Sequence, residues 1–132
     1  MLRKRSRFAV LICCLFIAVI LSCTKSKSFD GEWSGTTSQE KSINFTVKDH
    51  GIFYVSADFF FDFGFVSSSG PAEVRNYQKP ITHISGNKFS TQVSQRITVT
   101  GMFSSNTTAS GTVRCTINQV EREATWTATK VK

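Results

Sequence analysis

The chain has 132 residues, 40% of them hydrophobic and 12% aromatic, with 16 Lys and Arg against 9 Asp and Glu and a formal charge of +7. That length suits one small domain. Its basicity is concentrated at the start: without Arg3, Lys4, Arg5 and Arg7, 12 basic side chains face 9 acidic ones, which removes the bulk-charge argument for a nucleic-acid partner.

The first element in chain order is a targeting segment. Met1–Arg7 is basic, and Phe8–Leu21 is an unbroken apolar run of 14 residues. A spanning helix needs about 20, so the run reads as the core of an export signal rather than an anchor. Ile20-Leu21-Ser22-Cys23, which closes it, resembles the lipobox of bacterial lipoproteins. The resemblance implies a signal peptide over 1–22, acylation at Cys23 (palmitate among the chains), and attachment to a membrane of the cell envelope. Thr24, rather than Asp, follows the cysteine, which implies the outer membrane in a Gram-negative cell. Residues 23–30 are then a lipidated cysteine with a short polar tether, and 31–132 a single β-domain. Cys13 and Cys14 leave with the signal and Cys23 is committed to lipid. Cys115 alone remains, so no disulfide forms within the domain.

Beyond the tether the sequence reads as strands. Val, Ile, Thr, Phe and Tyr alternate with Ser, Thr and charges, punctuated by Gly, Asn and Asp. Strands are expected at 31–37 and at 41–48, the second with Ile43, Phe45 and Val47 inward. Asp49-His50-Gly51 makes a tight hairpin. Residues 52–66 follow as one long strand. Phe53, Val55, Ala57, Phe59, Phe61, Phe63 and Phe65 occupy alternate positions on a buried face, with Tyr54, Ser56, Asp58 and Asp62 on the wet one. A slip of one residue would bury both aspartates, so the register is firmly specified. Residues 67–80, bracketed late by Pro71 and Pro80, read as a loop, and Phe60 is expected to pack beneath it. Further strands are expected at 81–84 and 88–94, from Ile97 with Val99 and Phe103, along Val113, Cys115 and Ile117, and finally through Ala124, Trp126 and Ala128. About eight strands joined by short hairpins predict an all-β antiparallel meander: a closed or nearly closed small barrel, or a two-sheet sandwich.

Two segments carry a second resemblance. Gly31-Glu-Trp33-Ser-Gly-Thr-Thr-Ser-Gln39 with Ile43-Asn-Phe45-Thr-Val47 is one; the other is Gly101–Thr112 with Ala124-Thr-Trp126-Thr-Ala-Thr-Lys130. Together they resemble a recurrent small all-β domain of secreted bacterial proteins, a group without an established function. That group carries more cysteines, so its disulfide does not transfer to a domain with Cys115 alone. Gly31-x-Trp33 at the head of a meander is also similar to the opening of lipocalin-like and avidin-like barrels. That likeness implies a lumen for a small hydrophobic ligand between Trp33, the Phe53–Phe65 face and Trp126. So many phenylalanines argue instead for a filled interior.

The motif survey is mostly negative. Trp33 and Trp126 lie among small residues on their faces, which suggests inward packing with each indole N–H partnered. Tyr54, Phe60 and Tyr77 are the candidate exposed aromatics. His50 and His83 have no Cys or carboxylate at metal spacing. Ser38-x-x-Lys41 and Ser85-x-x-Lys88 spell a serine acyl-enzyme motif, but both fall in hairpins and lack its companions. Asn44-Phe-Thr46 and Asn106-Thr-Thr108 are sequons without consequence in a bacterial lipoprotein. Glu73, Glu121 and Glu123 form no pair by any spacing rule. The expectation is a non-catalytic binding or structural module that needs no metal or cofactor. Trp33, Phe59, Phe61, Phe63 and Trp126 line its core or ligand space, and a small-ligand carrier is the alternative.

Overall fold

The computed structural model describes residues 28–132; the export segment and Cys23 lie outside the described residues. The described chain is all-β. Its strands are β1 (Gly31–Thr37), β2 (Ser42–Lys48), β3 (Gly51–Ala57), β4 (Phe60–Asp62), β5 (Ser67–Ser69), β6 (Ala72–Arg75), β7 (Thr82–His83), β8 (Lys88–Gln92), β9 (Ile97–Phe103), β10 (Thr108–Ile117) and β11 (Val120–Lys130). Eight strands form one antiparallel path, β6-β3-β2-β1-β11-β10-β9-β8, with β7 also paired to β3. The sheet curls into a half-barrel, so rings from distant strands meet inside it. β4 and β5 form a separate two-stranded sheet.

The hairpins follow from residues that accept left-handed backbone. Asp49 and His50 have φ of 49° and 57°, and Asn118 and Gln119 have 49° and 67°. Two consecutive positive φ values match the right-handed twist of the flanking strands in a two-residue turn. His50 is thus explained by its turn. The second turn uses only Asn118 and Gln119, so β11 starts at Val120, earlier than the Asn118–Glu121 cluster suggested.

Alternate residues of β1, β2 and β8–β11 face inward and bury the core. Phe45 lies 5.5 Å from Trp33, 5.6 Å from Trp126 and 5.6 Å from Phe89, and Phe89 lies 5.8 Å from Phe103 (centroid distances). These rings occupy the space between Trp33 and Trp126. The register places Trp126 opposite Gly111, Gly111 opposite Gly101, and Gly101 opposite Phe89. The two glycines are the floor on which the indole and the Phe89 ring lie: a Cβ on Gly111 would come within 2.7 Å of Trp126 Cζ2, and one on Gly101 within 2.9 Å. Cys115 is a fully buried free thiol between Val113 and Ile117.

Four sequence expectations need correction. First, Phe29 belongs to the fold rather than the tether. It is buried and stacks on Phe103 at 4.3 Å, while its carbonyl accepts the Trp33 indole N–H at 2.9 Å. The Asp30 carboxylate caps the β2–β3 turn, accepting from Asp49 N and His50 N at 3.1 and 3.4 Å. A large ring next to an open barrel end is more stable inside it than in water. The span between Cys23 and Ser28 then reaches about 17 Å when extended.

Second, 52–66 is not one strand. A register shift opposite Thr46 and Val47 bulges β3, so Ile52, Val55 and Ala57 point inward while Phe53 and Tyr54 are both half-buried. The chain then leaves the main sheet after Ala57, and β4 pairs with β5 instead. Third, 67–80 is not wholly loop: it holds β5 and β6, and β6 pairs with β3. Phe59, Phe61 and Phe63 are buried as expected, but Phe60 is 52% exposed and Phe65 59% exposed. Fourth, the two indoles differ. Trp33 has its partner; Trp126 Nε1 is buried with none among the described residues, as is Thr91 Oγ1. The backbone beside Trp126 is committed to the β10 and β1 ladders, and the glycines beneath it offer no side chain.

Candidate binding surface

The ends of the half-barrel are closed differently. Phe29 fills the end near Gly31. The β4–β5 hairpin lies at the opposite end, held by Gln39, whose side chain donates to Phe60 O at 2.6 Å and accepts from Phe60 N at 3.0 Å. Arg122 reaches the same hairpin, donating to Asp62 O at 3.3 Å and standing 5.6 Å from the Phe63 ring centroid. Phe60 at the base of that hairpin and Phe65 and Val66 in its turn are exposed.

Among the described residues, several concave surfaces lie on the outer face of the sheet. A groove of about 620 Å³ runs over β8–β10 beside β7 and is lined by His83, Lys88, Thr100 and Met102. It is wide and shallow, and no cluster of charge converges on it. A second groove of about 420 Å³ crosses β1, β11 and β10 over serines and threonines.

A cleft of about 310 Å³ on β1, β2, β3 and β6 is chemically richer. It adjoins one of about 220 Å³ and shares Glu32, Thr46, Tyr54 and Arg75 with it. Those four residues form one cross-strand row: Glu32 is opposite Thr46, Thr46 opposite Tyr54, and Tyr54 opposite Arg75. At about 4.8 Å per strand the row spans about 14 Å. The Arg75 guanidinium lies 3.9 Å from the Tyr54 ring centroid and 5.5 Å from that of Tyr77. Such contacts hold the guanidinium by its faces and leave its N–H edge free to donate. No side-chain hydrogen bond or ion pair engages Arg75 among the described residues.

Local structure positions each of these groups. The β3 bulge turns Phe53 out beside Tyr54, the kind of re-aiming for which bulges are used next to functional sites. The Tyr54 hydroxyl donates to Glu73 at 3.4 Å. Asn76 N donates to Phe53 O at 2.9 Å, docking the segment after β6 onto β3. The Asn76 side chain accepts from Gln78 N and Lys79 N at 3.0 and 3.3 Å, an Asx-type turn that presents Tyr77, 82% exposed. Lys48 borders the same cleft.

The ion pairs lie elsewhere. Arg114 donates to Glu123 at 3.0 Å and lies 3.9 Å from Glu121. The hydrogen bond to Glu123, with the charges of Glu121 and Glu123, raises the Arg114 pKa further above its ordinary value. Among the described residues no group of three or more His, Cys, Asp or Glu side chains is placed to hold a metal ion.

Trp33, Trp126, Phe59, Phe61 and Phe63 are all buried and belong to one core cluster, in which Phe59, just before β4, stacks on Phe61 of that strand at 5.4 Å. Of the candidate exposed aromatics, Phe60 and Tyr77 are exposed and Tyr54 is half-buried. Arg75, Glu32 and Thr46 were not singled out, because only cross-strand register brings them together. Comparison of the chain with protein-family models, curated proteins and solved structures found no match in any of the three.

Proposed function

We propose that this chain is a lipid-anchored cell-envelope protein, acylated at Cys23 and held at the outer membrane where the cell has one. Its β-domain is a non-catalytic binding module that works through its outer face. The observation that carries the reading is the filled interior: Phe29, Trp33, Phe45, Phe89, Phe103 and Trp126 pack ring against ring at centroid distances from 4.3 to 6.3 Å. That packing favours a surface binder over a lipocalin-like carrier, which needs room for its ligand between the same side chains. The Ile20–Cys23 motif supports the anchor, and the near balance of charge beyond it speaks against a nucleic-acid partner.

Metabolic labelling with a palmitate analogue tests the anchor. The full chain is expected to take up label and to sediment with membranes, and Cys23→Ala to lose both. Label retained by Cys23→Ala overturns it.

A further inference from the structure

We infer that the cleft along Glu32, Thr46, Tyr54 and Arg75 is a binding site for a carboxylate-bearing saccharide. This deepens the surface-binding reading and rests on it, but not on the acylation of Cys23.

The argument starts from Arg75. Its guanidinium is held by the Tyr54 and Tyr77 rings, and its N–H edge meets no acceptor among the described residues. A planar fork of donors matches a carboxylate with two parallel hydrogen bonds, and charge on both partners strengthens them. Lys48 at the cleft border adds positive charge.

The remaining surroundings select what carries that carboxylate. The cleft lies on the face of the sheet, and its floor strands β2 and β3 are paired on both sides. Their main-chain groups are committed to ladders, so the floor offers a ligand no backbone donors or acceptors; the free strand edge nearby, the outer side of the four-residue β6, is short for adding a peptide strand. Recognition falls to side chains: the Thr46 hydroxyl, the Glu32 carboxylate, and the aromatic surfaces of Phe53 and Tyr77. A pyranose ring fits that mixture. Its C–H face is apolar and lies against an aromatic surface, while its hydroxyls donate and accept around the rim. Glu32, at the far end of the row, accepts from hydroxyl or amide N–H groups. A span of about 14 Å and a volume of about 310 Å³ suit one or two sugar rings rather than a long chain. The Asx-type turn fixes the backbone around Tyr77, so less ordering is left to binding.

Titration calorimetry on the full-length chain in detergent tests this. The probes are a uronic-acid disaccharide, its methyl ester, inorganic phosphate and a short acidic peptide. The acid disaccharide is expected to bind saturably, with the ester, phosphate and peptide at least tenfold weaker. Arg75→Gln is expected to abolish the preference for acid over ester, and Tyr77→Ala to weaken binding about tenfold. Arg75 and Tyr77 are exposed, and an unchanged circular dichroism melt verifies that both variants fold. Lys88→Gln, in the groove over β8–β10, retains full binding. The site is overturned if the acid disaccharide fails to bind. It is equally overturned if ester, phosphate or peptide binds as tightly, or if Arg75→Gln leaves the preference intact. Sugar binding retained by a Cys23→Ala chain that no longer takes up label separates the cleft from the anchor.

Discussion

Two groups of aromatic rings in this domain have nearly the same sequence signature and different fates. Those of β1, β2, β8, β9 and β11 alternate with polar residues and end fully enclosed, ring against ring. Those from Phe59 to Phe65 alternate just as strictly, yet Phe65 is exposed while Phe63, 6.1 Å away, is buried. The difference lies in the neighbours. Rings on β1, β2, β9 and β11 are flanked by a strand on each side, and the curl of the sheet brings the opposite wall over them. Phe65 lies in the turn between β4 and β5, with no strand partner on either side, whereas Phe61 within β4 is buried in the core cluster. Alternation decides which side a ring faces; the depth of burial is decided by what the strand pairs with and what lies across from it.

Substitutions can break or sharpen this contrast, read as unfolding free energies from urea denaturation. Trp33→Ala is expected to have the largest effect, a loss of about 3 to 5 kcal/mol, because it opens a cavity walled by rings and strands the Phe29 carbonyl. Phe61→Ala should cost less, about 2 kcal/mol, since a short hairpin relaxes into the space more readily than the sheet does. Equal losses at the two sites would erase the distinction. Thr91→Val is expected to raise stability by about 1 kcal/mol, as it replaces a buried hydroxyl without a partner by a methyl of similar shape. Phe65→Ser should change stability by no more than about 0.5 kcal/mol. A larger loss there would mean that the exposed ring supports the hairpin.

Much of the main sheet was legible from residues alone. The alternation in 31–37 and 41–48, with Ile97, Val99 and Phe103 on one side, and the turn cluster at 49–51, match strand positions and inward faces in the structure, while the cluster at 118–121 overran its turn by two residues. The middle of the chain was less readable for three physical reasons. A bulge inserts one residue without leaving a gap in the apolar pattern, so Phe53 looked like the start of an inward series. β5 consists of serines, whose strand preference is weak, and it forms only because β4 lies opposite. The departure after Ala57 is a change of partner, and period-two patterning carries no information about partners. The candidate cleft was half visible: Tyr54 and Tyr77 stood out by type, while Arg75, Thr46 and Glu32 become neighbours only through the β1-β2-β3-β6 order.

The pairing of β1 with β11 sets the order in which this molecule can be completed. Trp33 and Lys130 are opposite each other in the register although 97 positions separate them, and the two strands sit side by side in the middle of the sheet. Before Val120–Lys130 is available, β1–β3 and β9–β10 are two fragments, each with a bare edge and uncovered rings. Joining them demands the closure of a long loop, which slows folding. A polypeptide passed through a narrow translocation channel from its N-terminus must stay unfolded until it is through. Under the proposed export, a seam between β1 and β11 would delay the stable state until Val120–Lys130 has emerged. The same delay leaves the edges of β1 and β10 open to wrong partners until β11 pairs with both.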